Sequence, residues 1–80
     1  MDREAVMAFL IERFRALSRA KGLPSAALSA DTPLFSGAGV DSLDLATIIV
    51  ELETTTGVEP FKVRVPEFRT IGELAALFAP

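Results

Sequence analysis

The 80-residue chain has no cysteine, no histidine, no tryptophan and no tyrosine. Without cysteine there is no disulfide, no thiolate metal site and no cysteine nucleophile, and the redox compartment stays open. Without histidine, neither a Ser-His-Asp triad nor a His-ligated metal can be assembled. No apolar run approaches the ~18 residues that span a membrane. The start, Met1-Asp2-Arg3-Glu4, lacks the apolar stretch of a secretory signal. These absences leave the expectation of a soluble, cytoplasmic domain that does no chemistry with its own side chains.

Positive charge is missing from one stretch. Residues 23–60 hold Asp31, Asp41, Asp44, Glu51, Glu53 and Glu59 and not one Lys or Arg. The flanking stretches are mildly basic, so the net charge is only −3. Phosphate backbones need clustered Lys and Arg, so such a middle argues against nucleic acid and for a basic protein partner. What is present is apolar mass: 50% hydrophobic residues, including six Phe. In a chain this short, folding covers about 60–65% of the unfolded surface, enough for one simple core and a single domain over residues 1–80.

Three segments read as helices. From Asp2 to Ala20, Val6, Met7, Leu10, Phe14 and Leu17 form one stripe at helical spacing, and Gly22 with Pro24 ends it. Residues 23–40 read as a long connection, with turn chemistry at Asp31-Thr32-Pro33, Ser36-Gly37 and Gly39 and apolar pins at Leu23, Leu28, Leu34 and Phe35. The second helix opens at Asp41-Ser42, with Asp41 as N-cap and Asp44 approximating a capping box, and stops at Gly57. A third starts at the capping box Thr70-Ile71-Gly72-Glu73 and continues through Leu74, Ala75, Leu77 and Phe78. Between the last two, Phe61, Val63 and Val65 alternate with Lys62 and Arg64, but a lone strand has no partner. The expectation there is an extended stretch giving way to a helical turn near residues 66–69. The fold class is therefore all-α: a bundle of three main helices with a short irregular or one-turn segment before the last. Its core should hold Val6, Leu10, Phe14, Leu17, Leu45, Ile48, Ile49, Leu52, Phe68, Leu74 and Leu77.

Ser42 follows the loop Gly37-Ala38-Gly39-Val40 and sits in the first turn of the second helix. Backbone N–H groups there lack intrahelical partners and the helix dipole is positive, so a phosphate on Ser42 would be well placed. A serine that simply helps to start a helix looks the same in isolation. Gly-Val-Asp-Ser-Leu is also one residue away from the Gly-Asp-Ser-Leu box of certain esterases, but those need a histidine that the chain lacks.

Gly39-Val40-Asp41-Ser42-Leu43-Asp44-Leu45, between a long loop and an amphipathic helix, resembles the attachment motif of the acyl carrier protein family, which includes peptidyl and aryl carriers. The resemblance covers nearly the whole chain: the first helix, Asp31-Thr32-Pro33-Leu34-Phe35, Asp41-Ser42-Leu43, Leu52-Glu53 before Gly57, and Thr70-Ile71-Gly72-Glu73-Leu74 fall in family order. It implies that a phosphopantetheinyl transferase moves 4′-phosphopantetheine from coenzyme A onto Ser42, with Asp41 and Leu43 as the adjoining motif residues. The thiol of that arm would then carry acyl or aminoacyl groups as thioesters, from a loading enzyme to downstream synthase or transferase enzymes. The chain would be a monomeric carrier, not an enzyme, binding neither nucleic acid nor membrane. Ser18, Ser25, Ser29 and Ser36 lack a following Leu-Asp.

Three features depart from the common pattern. The stretch from Leu34 to Ser42 is one residue longer. The third segment is Phe61-Lys62-Val63-Arg64-Val65-Pro66 instead of acidic and helical. Thr47 and Thr54 stand where fatty-acid carriers often have Glu, favouring polyketide or nonribosomal peptide metabolism over fatty-acid synthesis. An unmodified helical docking module is the alternative from another class.

Leu45, Ile48, Ile49 and Leu52 share one side of the second helix. Leu43, Ala46, Thr47, Val50 and Thr54 share nearly the opposite side, bordered by Asp44 and Glu51 on one flank and Glu53 on the other. This uncharged stripe rimmed with carboxylates is expected to be the partner-docking face, with Leu43 and Val50 giving contact area and the carboxylates steering.

Overall fold

The computed structural model describes residues 1–22, 27–35, 41–62 and 64–79. Those residues form three helices, α1 (Arg3–Ala20), α2 (Ser42–Thr56) and α3 (Ile71–Phe78), in the order read from the sequence. Asp2 caps α1, its carboxylate accepting from the Ala5 N–H. Gly57 ends α2 in the left-handed region at φ 74°, where a side chain would be strained, and its N–H donates to the Glu53 carbonyl. Thr70 and Glu73 complete the reciprocal capping box at the start of α3. Short as it is, α3 is buried along Ile71, Leu74, Ala75 and Phe78. It packs mainly on α1, so tertiary burial and a full cap hold a segment too short to be helical alone.

The core joins Val6, Leu10 and Phe14 of α1 to Leu45, Ile48 and Leu52 of α2 and to the buried face of α3. Leu34, from the connection between α1 and α2, is fully buried among them. Of the residues expected inside, Leu17, Ile49, Phe68 and Leu77 are only partly buried and pack on the margin of this cluster. Leu34, Ile71, Ala75 and Phe78 fill the places nearer its centre.

The connection is fastened to α3 by its backbone. Leu34 N–H donates to Arg69 C=O (2.9 Å), Ile71 N–H to Thr32 C=O (3.1 Å) and Gly72 N–H to Ala30 C=O (2.8 Å). Pro33 and Thr70 thus form an isolated antiparallel bridge, and among the described residues no sheet grows from it. Pro24, read as part of the stop of the first helix, the turn chemistry at Ser36-Gly37 and Gly39, and the pin at Leu23 lie outside the described residues.

Segment 60–69 corrects one expectation. Its turn comes at the start, over residues 60–62, where Lys62 N–H donates to Glu59 C=O at 3.2 Å. No helical turn forms over 66–69. Arg69 gives its carbonyl to Leu34 and its N–H to the Glu73 carboxylate, which keeps the chain open as it enters the cap. The apparent strand period has no common face either: Phe61 turns inward edge-on to Phe68, with centroids 5.8 Å apart, while Val65 is 82% exposed.

Candidate functional site

Ser42 is the first residue of α2 and is exposed. Asp41 before it is extended; its carboxylate accepts from Asp44 N–H at 2.8 Å and its carbonyl from Leu45 N–H at 3.0 Å. Asp41 therefore supplies the cap, and the serine hydroxyl is not needed for it. The helix holds that hydroxyl at its positive end, on the surface.

Asp44 joins this turn to α1. Its carboxylate accepts from Lys21 Nζ at 2.5 Å, and the same ammonium lies 3.9 Å from Asp41 Oδ2. Lys21 is the C-cap residue of α1, so the pair ties the last turn of α1 to the first turn of α2. The hydrogen bond from Lys21 is the main influence holding the Asp44 carboxyl below its ordinary value; the Asp41 backbone N–H adds to it, and partial desolvation opposes it. The same bond raises the Lys21 ammonium, again against desolvation. The capping-box geometry anticipated at Asp44 is thus subordinate to an ion pair 23 residues away in sequence. No local spacing announces it.

Two turns farther along, Arg13 Nη2 meets Glu51 Oε2 at 2.7 Å, and the same guanidinium lies 4.9 Å from the centre of the Phe9 ring. Arg13, Ala16 and Leu17 of α1 and Asp44, Thr47, Ile48 and Glu51 of α2 line a groove of about 260 Å³ between the two helices. Two of the three rim carboxylates, Asp44 and Glu51, are therefore engaged by cations of α1. Glu53 is half-buried on the other flank.

The outer stripe of α2 is open. Leu43 is 77% and Val50 60% exposed, and Ala46, Thr47 and Thr54 are exposed as well. Thr47 Oγ1 donates to Leu43 C=O at 3.1 Å and Thr54 Oγ1 to Val50 C=O at 3.0 Å. With both hydroxyls turned back on the helix, the stripe is less polar than its composition implies.

This neighbourhood fits a phosphate ester on Ser42. The hydroxyl is accessible at a helix N-terminus, and a lysine offsets the two carboxylates that would oppose an added anion. The loop before it, Gly37-Ala38-Gly39-Val40, lies outside the described residues. Among the described residues there is no cluster of acidic side chains that could hold a metal, and no helix is long and apolar enough to cross a membrane.

A family model described as "Phosphopantetheine attachment site" matches residues 15–78. Among solved structures, the chain is similar to MacpD, an acyl carrier protein from Pseudomonas fluorescens involved in mupirocin biosynthesis. The two share 34% identity with a TM-score of 0.68, over 95% of this chain and 73% of that one. No curated protein sequence matches. The match extends from the second half of α1 to the end of α3, and the three-helix fold agrees with that of the solved carrier. Three helices opening their second at Asp41-Ser42-Leu43, and carrying the attachment domain for 4′-phosphopantetheine, place the chain in the acyl carrier protein family, whose members carry cargo for separate enzymes and are not themselves enzymes.

Proposed function

We propose that residues 1–80 form one discrete carrier domain that bears 4′-phosphopantetheine on Ser42 and moves acyl or aminoacyl thioesters in polyketide or nonribosomal peptide secondary metabolism. The observation that carries the assignment to Ser42 is its position: exposed at the first residue of α2, with capping supplied by Asp41. The hydroxyl can therefore be esterified without removing a contact on which the helix depends. Modification by a phosphopantetheinyl transferase follows, then loading and unloading by partner enzymes at the open stripe of α2. Support for a secondary-metabolic setting comes from the mupirocin carrier at 34% identity and from Thr47 and Thr54 at positions where fatty-acid carriers often have Glu.

Intact-mass measurement tests the attachment. Incubated with coenzyme A and a broad-specificity transferase, the protein gains one phosphopantetheinyl group, and Ser42→Ala gains none while keeping its fold. Addition to the alanine variant would move the site elsewhere. Loading the holo protein in extract of its native host, then identifying the thioester by mass spectrometry, tests the pathway. A fatty acyl chain typical of membrane lipids would redirect it to fatty-acid synthesis.

A further inference from the structure

Lys21 and Asp44 stand at the two ends of the connection that joins α1 to α2, and their pairing closes its base. The middle of that connection is pinned separately, through Ala30, Thr32 and Leu34, to the start of α3. The first turn of α2 is thus held both by α1 and by its own cap. It also carries two carboxylates, Asp41 and Asp44, on either side of Ser42 in sequence, and Lys21 is within 4 Å of both.

Attachment brings negative charge to this turn. As the Ser42 hydroxyl attacks the pantetheine-side phosphorus of coenzyme A, an Oγ–P bond forms and the phosphoanhydride P–O bond breaks. Adenosine 3′,5′-bisphosphate leaves, and the hydroxyl proton passes to a base of the transferase. The donor is a polyanion, and the product keeps a phosphodiester charge beside the two carboxylates. We infer that Lys21 is a positioning residue for phosphopantetheinylation: by pairing with Asp44 and Asp41 it holds the serine-bearing turn against α1 and offsets the carboxylates that would repel the anionic donor. The inference rests on the assignment of attachment to Ser42. Lys21 does not touch the reacting atoms; it acts through the two aspartates.

The test is steady-state loading of the apo protein at low and high salt, with Lys21→Gln, Lys21→Arg and Ser42→Ala beside the wild type. Lys21→Gln is expected to lower kcat/KM for loading about three- to tenfold at low salt, chiefly through KM. Because the effect runs through partly exposed charges, the deficit should shrink as salt screens them. Lys21→Arg should restore most of the rate, since it keeps the charge. In the holo protein, the ³¹P resonance of the phosphodiester should shift in Lys21→Gln and return in Lys21→Arg. Wild-type rates in Lys21→Gln overturn the inference. So does a deficit that ignores salt and that Lys21→Arg fails to repair, because that pattern belongs to a loosened helix. A wild type that cannot be loaded, or a Ser42→Ala variant that can, overturns the attachment assignment itself and the role of Lys21 with it.

Discussion

Gly72 lies so close beneath Ala30 that a Cβ on it would sit 2.9 Å from both the carbonyl oxygen and the Cβ of Ala30. The same approach lets Gly72 N–H donate to that carbonyl at 2.8 Å. Glycine in a helix ordinarily costs about 0.5–1 kcal/mol relative to alanine. Here the gain from Gly72→Ala is opposed by a clash with backbone, which cannot swing aside as a flexible side chain would. Overpacking of this kind costs roughly 1–3 kcal/mol, so the variant should be less stable by about 1–2 kcal/mol in urea unfolding. A stabilised variant would mean that the connection yields freely.

Phe14 has no exposed surface and is among the largest side chains in the core. Truncation to alanine removes a fully buried ring of the core cluster, and typical costs are about 3–5 kcal/mol. For a domain of this size that is a large part of total stability. Phe14→Ala should be partly or wholly unfolded at 37 °C, as far-UV circular dichroism would report. A cost below about 1 kcal/mol would show that the core collapses around the gap.

Periodicity and capping chemistry made the helices legible in the sequence. Asp41 and the Thr70–Glu73 box act at the helix starts where their side chains predict them, and Gly57, lacking a side chain, ends α2 at positive φ. The serine-bearing turn was equally legible, because a cap is a local device spanning three or four residues. Its surroundings were not. Lys21 reaches Asp44 and Arg13 reaches Glu51 through distances that the helical period does not encode, whereas of the apolar pins read in the connection Leu34 is fully buried and Phe35 is 59% exposed. Segment 60–69 departs for the same reason: local pattern places its turn near 66–69, whereas the turn lies over 60–62 and Arg69 is bonded to Leu34 and to the Glu73 carboxylate.

The ion pair at the base of the connection gives a pH signature. Asp44 is held below its ordinary value of 3.8, so its contribution to stability is complete above that value and is lost as pH falls through the folded-state pKa. Lys21 is raised above 10.5, so its share is complete below that value and is lost as pH rises through its own folded-state pKa. Between these limits the pair contributes a constant amount. The gap in thermal midpoint between wild type and Asp44→Asn should therefore be flat from about pH 5 to 9 and narrow below the usual carboxylate range. A gap that persisted unchanged at about pH 2 would mean that the carboxylate charge has no part in it.

Val50 is 60% exposed in the middle of the open stripe, two turns from Leu43 on one side and one turn from Thr54 on the other. An aspartate there loses little buried area, and its helix propensity and repulsion from Glu53 cost a few tenths of a kcal/mol each. Stability should fall by less than about 1 kcal/mol. Docking is a different matter. If the proposed partners cover the stripe, the new carboxylate must be desolvated against an apolar surface, which is one of the expensive events in an interface. A tenfold or greater loss in kcat/KM for the transferase or a downstream enzyme is then expected, with the thermal midpoint nearly unchanged. Ala8→Asp, at an exposed position of α1, controls for charge alone and should leave those rates within about twofold. Because Asp44 and Glu51 are already engaged by Lys21 and Arg13, the salt dependence of docking should be modest, with Glu53 as the rim carboxylate that carries most of it. Equal rates in Val50→Asp and wild type would remove the stripe from the docking face, and a stability loss of about 3 kcal/mol would put Val50 among the packed residues instead.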